Sequence, residues 1–363
     1  MKVTACLIEN LNRYYELQLC YAELVSLEAS NISFDLLKEK FTFECATDVL
    51  RKIWYRTSWL QDINGEKTLL AQIIEANQKV IWKYADLWFP HLCYPFKARM
   101  RPQIARSLVN LVAPEEESWI LDPFCGSGTT NVEAYLCGVN SVGMDIIPFY
   151  SYMSEAKISF FEEKINWNPL LNVDANHKIL EVIYSATNLL KTKTNFEKRV
   201  SEIVKLQQVF QTFKSQIKPS KHVFKVGTAT ELPYPENYFD GIVTSPPYGS
   251  AIEYEKENPG PKELMNIPRN LKAFQILTKD ETHYKQLMEL CFKEMWRVLK
   301  RNGRLAIILG NQKRKGKIID YISWGKGELI NLGFELLYDF TELISSTGTR
   351  NILYDRILVF QKK

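Results

Sequence analysis

The stretch SWILDPFCGSGTTNVEAYLCGVNSVGMD, residues 118–145, restricts the fold more than any other part of this chain. An apolar run leads into a loop with glycines at 126 and 128. A helical run follows, then a second apolar run that ends on Asp145. Two short apolar runs joined by a helix-length segment read as parallel strands, because parallel neighbours need a crossover and not a tight turn. Glycines directly after the first strand let the backbone turn sharply and approach a ligand closely. The alternation recurs downstream as strand DGIVTS, helix HYKQLMELCFKEMWRVLK, strand GRLAIIL and a final pair, FELLYDF and DRILVFQK. The pattern predicts a Rossmann-like α/β fold: a largely parallel sheet, helices on both faces, and a C-terminal antiparallel strand pair.

Residues 1–88 read as a small N-terminal α/β accessory domain. KVTACLIE and FTFECA have strand composition, and YYELQLCYAELVSLEA has helical spacing. TDVLRKIWYRTSWLQDI reads as a helix with Thr47 as its cap and Val49, Ile53, Trp54 and Leu60 on one face. EKTLLAQIIEANQKVIWKYADLWF extends as a further helix into a second domain, 89–363. Within it, apolar residues at helical spacing predict a helical insertion at about 155–220.

Composition excludes little here. Forty-six basic against 42 acidic residues leave a net charge of +4, and nucleic-acid binding depends on a local basic face, not on the average. The seven cysteines are scattered with no C-x-x-C pair, which argues for a reduced, cytoplasmic setting and against zinc, other metals and disulfides. There is no membrane-length apolar run, so a soluble protein without a membrane partner is expected.

The strand ends suggest a cofactor. Asp145 can accept hydrogen bonds from both hydroxyls of a ribose, as in a dinucleotide or in S-adenosylmethionine. The dinucleotide fingerprint needs a third glycine where this chain has Asn131. Asp122 would face pyrophosphate unfavourably but can pair with the α-amino group of S-adenosylmethionine. Arg99 or Arg101 in PFKARMRPQ can approach its carboxylate. With the loop residues Phe124, Cys125, Gly126, Ser127, Gly128 and Thr129, these form the expected binding set for S-adenosyl-L-methionine. A ligand-free βα turn is the plainer alternative, and it leaves both strand-end acids without a purpose.

VTSPPYG at 243–249 ends a buried strand on two prolines and an aromatic. An exocyclic amine is a poor nucleophile because its lone pair is delocalised into the ring. Ser245 offers an oxygen and Pro246 a carbonyl to accept the two N–H groups, Pro247 restricts Pro246, and Tyr248 can stack on the base. A loop plug is the plainer reading of these four residues. Methylation at carbon 5 of cytosine needs a cysteine nucleophile, and no Pro-Cys dipeptide occurs. Cys125 reads as a small spacer.

DPFCGSGTT at 122–130, TSPPY at 244–248 and the upstream PFKARMRPQIAR resemble the amino-group DNA methyltransferases, over residues 89–363. The resemblance implies S-adenosylmethionine as methyl donor, a base flipped out of DNA, and a possible cognate restriction endonuclease. In that family Ser at the first position of the catalytic motif goes more often with cytosine N4, and Asp or Asn with adenine N6. Thr228 stands where the family often carries an acid toward the cofactor's adenine. Target recognition falls to the insertion, with Lys191, Lys193, Lys198 and Arg199, or to EYEKENPGPKELMNIPRN at 253–270. RPQIARSLVNL and DPFCGSGT are also similar to the THUMP-containing tRNA guanine-N2 methyltransferases, which carry an N-terminal appendage but usually begin the catalytic motif with Asp. A nicotinamide-dependent dehydrogenase would leave SPPY without a use.

Overall fold

A computed structural model of the chain describes residues 1–8, 14–80, 88–97, 99–163, 165, 178–189, 196–247, 258–274, 276, 280–314, 317–342 and 352–363. The first sheet comprises β1 (Lys2–Leu7), β2 (Ser30–Asp35), β3 (Lys40–Glu44), β4 (Leu60–Ile63) and β5 (Glu66–Lys67). It is antiparallel, in the order β2-β3-β1-β4-β5. Helices α1 (Tyr14–Ser26), α2 (Thr47–Arg56) and α3 (Leu69–Val80) belong to the same stretch.

The second sheet begins after α4 (Pro102–Val112). In chain order it runs β6 (Trp119–Asp122), α5 (Thr129–Leu136), β7 (Asn140–Asp145), α6 (Pro148–Glu162), α7 (Lys178–Leu189), α8 (Phe196–Lys214) and β8 (His222–Val226). Then come β9 (Phe239–Thr244), α9 (Lys262–Met265), α10 (Glu281–Val298), β10 (Leu299–Arg314), β11 (Lys317–Ile319), α11 (Tyr321–Asn331), β12 (Phe334–Glu342) and β13 (Ile352–Lys362). The order is β12-β13-β10-β9-β6-β7-β8, with β11 paired to β10. The strands β10, β9, β6, β7 and β8 are parallel, and β13 runs antiparallel to both β10 and β12.

Successive residues of a strand point to opposite faces, and the core divides accordingly. Ile120, Val243, Ala306, Ile308, Ile357 and Val359 pack with α4, with Phe43 of the N-terminal sheet and with Trp59 just before β4. Their neighbours Leu121, Ile242, Leu305, Ile307, Leu358 and Phe360 pack with Met288, Phe292 and Met295 of α10 and with Leu329 of α11. Both faces are therefore covered, as the apolar runs predict.

Polar groups also join the N-terminal sheet to α4. Glu23, fully buried on α1, accepts hydrogen bonds from Thr57 Oγ1 (3.0 Å), the Ser58 amide (2.9 Å), Ser107 Oγ (2.9 Å) and Asn110 Nδ2 (3.1 Å). A buried carboxylate this well satisfied offsets its desolvation.

This network accounts for the first of three differences from the sequence reading. The helix read over TDVLRKIWYRTSWLQDI stops at Arg56, because Thr57 and Ser58 turn aside to bind Glu23; Leu60 then begins β4. Thr47 is the first helical residue and Ala46 occupies the cap position, with no side-chain cap bond. In the next segment, Glu66–Lys67 form β5 and the helix starts only at Leu69. In the stretch after Tyr150, α6 is the crossover between β7 and β8 and packs on both, while α7 and α8 lie against α6.

Candidate active site

The chain leaves β6 outward through β7 to β8, then returns to place β9 on the other side of β6. Open α/β sheets bind ligands at such a reversal, at the carboxyl ends of the strands. A cavity open to solvent lies there.

Each strand end contributes to its wall. From β6 and its loop come Asp122, Phe124, Cys125, Gly126, Ser127 and Thr129. Asp145 lines it from β7, Thr228 follows β8, and Ser245 and Pro247 follow β9. Arg99 reaches it from the segment before α4. Of three further residues expected in the site, one is held away from it and two sit between wall residues without lining the cavity themselves. Arg101 is held by Glu16 (2.9 Å) and Tyr15 OH (2.6 Å), and Gly128 and the buried Pro246 do not line the cavity. Tyr248, like Lys191 and Lys193, falls outside the described residues.

The loop's geometry explains its glycines. Gly126 and Gly128 have φ of +48° and +72°, a region that residues with a Cβ rarely adopt. A Cβ on Gly128 would stand 2.5 Å from Ser154 Oγ and 2.9 Å from Ser154 Cα, so this glycine lets the loop seat against α6. The Gly126 amide donates to Asp145 Oδ2 (3.0 Å) and the Ile147 amide to Asp145 Oδ1 (3.0 Å). The second acid thus shapes the loop as well as facing the cavity.

Asp122 is held differently. Thr244 Oγ1 donates to its Oδ1 at 2.7 Å, and the Phe124 amide reaches the same oxygen at 3.2 Å. Burial pushes the Asp122 carboxyl up to about 6, although Thr130 also lies close enough for its hydroxyl to draw it down. Burial likewise pushes Asp145 up to about 7, against the pull of the Ile147 and Gly126 amides and with a further rise from the Asp122 charge. Two carboxyls raised in this way favour a cation and a hydroxyl-bearing ligand beside them.

Sequence reasoning missed several supports. Lys157, fully buried on α6, donates to the Ser127 carbonyl behind the loop, and burial lowers its ammonium to about 8. Arg99 is aimed by a bond from its guanidinium to the His91 carbonyl (2.6 Å). His91 in turn meets Glu133 Oε1 at 2.7 Å, and burial lowers its pKa to about 4, so it stays neutral. Tyr284 OH, from α10, donates to the Pro247 carbonyl at 3.0 Å. Phe96, Tyr150 and Ile276 add apolar wall.

With this geometry in place, comparison with known proteins is informative. Residues 94–261 match the family model described as RMKL-like, methyltransferase domain, and residues 31–156 match the one described as DNA methylase. The similarity is to methyltransferases. One relative, the Type II methyltransferase M.BsoBI of Geobacillus stearothermophilus, is 36% identical over 67 residues, 18% of this chain and 13% of its own length. The tRNA (guanine(10)-N2)-dimethyltransferase of Methanocaldococcus jannaschii is 45% identical over 58 residues, 16% of each chain. The Type II methyltransferase M.MvaI of Kocuria varians is 31% identical over 101 residues, 27% of this chain and 22% of its own. The chain thus spans less than a quarter of the length of these relatives. Both resemblances read from the motifs reappear among them.

The cofactor implied by these families is S-adenosylmethionine, and the cavity fits it. Asp122 and Thr130 share its wall, and Thr130 Oγ1 is buried there with no hydrogen bond of full geometry, left to a polar ligand atom. Among the described residues no cluster of His, Cys, Asp or Glu could hold a metal, and no helix is long and apolar enough to cross a membrane.

Proposed function

We propose that this protein transfers a methyl group from S-adenosylmethionine to the exocyclic amino group of a nucleobase, with cytosine N4 in DNA as the favoured target. One observation carries the reading. The 2.7 Å bond from Thr244 to Asp122 ties the strand before Ser245-Pro246-Pro247 to the strand before the glycine loop, so both motifs face one cavity. When bound, the cofactor supplies an electrophilic methyl group on a sulfonium.

The chain's own residues then have distinct tasks. Asp122 pairs with the cofactor's α-ammonium, Asp145 accepts from its ribose hydroxyls, and Arg99 meets its carboxylate, with Thr228 nearer the adenine. Ser245 Oγ and the Pro246 carbonyl accept the two amine N–H groups and localise the lone pair. An amine held this way would take up the methyl group and release its spare proton to solvent. Positioning of this kind can supply ~7–11 kcal/mol of the barrier. Tyr248 stacks on the base in this scheme. Residues 1–88 serve as an accessory unit to the methyltransferase unit 89–363, in the cytoplasm. A restriction endonuclease of the same specificity would be its partner.

The similarity to a tRNA dimethyltransferase favours a second reading, guanine-N2 methylation of tRNA. Incubation with radiolabelled S-adenosylmethionine, duplex DNA and undermodified tRNA, followed by nucleoside analysis, separates them. Label in N4-methylcytosine supports the first reading and label in N2-methylguanosine the second. Failure to label either nucleic acid refutes both.

A further inference from the structure

Two stretches compete for the task of gripping nucleic acid, the helices within 155–220 and the segment 253–270. Their placement distinguishes them. Among the described residues, α7 and α8 put no side chain in the cavity wall; they lie behind α6, and α8 also packs on α3. Residues 258–274 and 276, by contrast, are held against the residues around that wall. Asn258 Oδ1 accepts the Lys97 amide (2.6 Å), and Tyr94 OH donates to the Pro259 carbonyl. Gly260 approaches Phe149 so closely that a Cβ would stand 2.4 Å from its ring. Ile267 is buried in one cluster with Ile147, Phe149 and Tyr150, and Ile276 lines the cavity itself. The outer side of this clamped segment carries Lys262, Arg269 and Lys272, all exposed and none ion-paired with a described residue. Glu263 is the single acid between 258 and 274.

We propose that Lys262, Arg269 and Lys272 hold backbone phosphates of the duplex DNA whose base enters the cavity. The inference rests on the nucleic-acid reading above. A base can leave the stack only if the strands around it are held, and phosphate contacts set that register without reading sequence. Cations on a segment held against the residues around the cavity can do this; α8, which packs on α3 and α6, puts nothing in the cavity wall.

Salt dependence tests it. Each phosphate contact on duplex DNA contributes about 0.9 to the slope of log K against log salt. The variant K262A/R269A/K272A should lower that slope by about 2.7. Between 50 and 200 mM salt the wild type then loses roughly forty-fold more affinity than the variant. Anisotropy of a labelled duplex, read on protein saturated with S-adenosylhomocysteine, measures this. The α8 variant K198A/K205A serves as the control and should keep the wild-type slope. Unchanged thermal unfolding and S-adenosylhomocysteine affinity in the triple variant confine its change to DNA. An unchanged slope in that variant, or a fall in the α8 variant instead, overturns the assignment. Wild-type binding to undermodified tRNA and not to DNA overturns the choice of DNA. Binding to neither removes the functional reading itself.

Discussion

Replacing Asp122 by Asn should make the empty protein more stable at alkaline pH while disabling it as a binder. Burial holds the Asp122 carboxyl at about 6 against an ordinary 3.8. At 1.36 kcal/mol per pH unit, its ionisation costs the ligand-free fold up to about 3 kcal/mol above pH 6. The sign follows from proton binding: the folded state holds the proton more tightly, so the penalty vanishes below the unfolded value and is complete above the folded one. Asn removes it and preserves shape, since the Thr244 hydroxyl and the Phe124 amide both donate to Oδ1, which an amide oxygen can replace. What changes is Oδ2, where an NH₂ would confront the cofactor's ammonium. Losing one partner of a buried charge pair costs about 2–5 kcal/mol, so affinity should fall by at least ~30-fold. In the wild type, protonation of Asp122 competes with the cation, and affinity should drop roughly ten-fold between pH 8 and pH 5. The variant should lack this part of the pH dependence. Urea unfolding at pH 8 and pH 5, with calorimetric titration of S-adenosylhomocysteine at both, measures all of these. A variant that is no more stable at pH 8, or binds as the wild type does, would refute the role given to Asp122.

Three further substitutions separate the parts of the site. Tyr284→Phe removes the donor to the Pro247 carbonyl and should lower kcat about five-fold, the worth of about 1 kcal/mol, without altering cofactor affinity; an unchanged kcat would mean the bond positions nothing. Ser245→Ala should reduce transfer about ten-fold or more at unchanged cofactor affinity, because it removes one of two acceptors for the amine; parallel loss of both would make the residue structural. Gly128→Ala combines a φ of +72° with a 2.9 Å approach to Ser154 Cα, so the loop must shift. Cofactor affinity should fall more than about ten-fold, since the left-handed backbone alone costs roughly 1–2 kcal/mol. Wild-type affinity would show that α6 simply yields.

The second sheet was legible because buried parallel strands are continuous apolar runs, and glycines or acids punctuate their ends. β8 escaped because it is an edge strand: in HVFKV only His222 and Phe224 are half-buried and Val223 and Val226 are exposed, so no apolar run marks it. α11 escaped because YISWGKGELIN carries two glycines, and its place is secured by Asp320 capping Ser323 and by packing of Tyr321 and Leu329. The N-terminal helix ended early for a reason absent from its own residues, the carboxylate of Glu23 on another helix.

The same limit applies to the site. Asp122 and Asp145 could be read because each closes an apolar strand beside the glycine loop, where an acid stands out from its neighbours. Lys157, Tyr284 and Thr244 could not, because their partners lie 30, 37 and 122 positions away. Thr244 carried a partial signal all the same. It is a hydroxyl at the buried end of a strand whose preceding residues, Ile242 and Val243, are apolar, and a buried hydroxyl requires a partner. Sequence can register that requirement without naming the atom that meets it. Sheet order names it, by placing β9 beside β6 so that the threonine before the proline motif finds the acid before the glycine loop. A pair of motifs becomes one site through that adjacency, and a sequence with both motifs but a different strand order would have neither the bond nor the cavity.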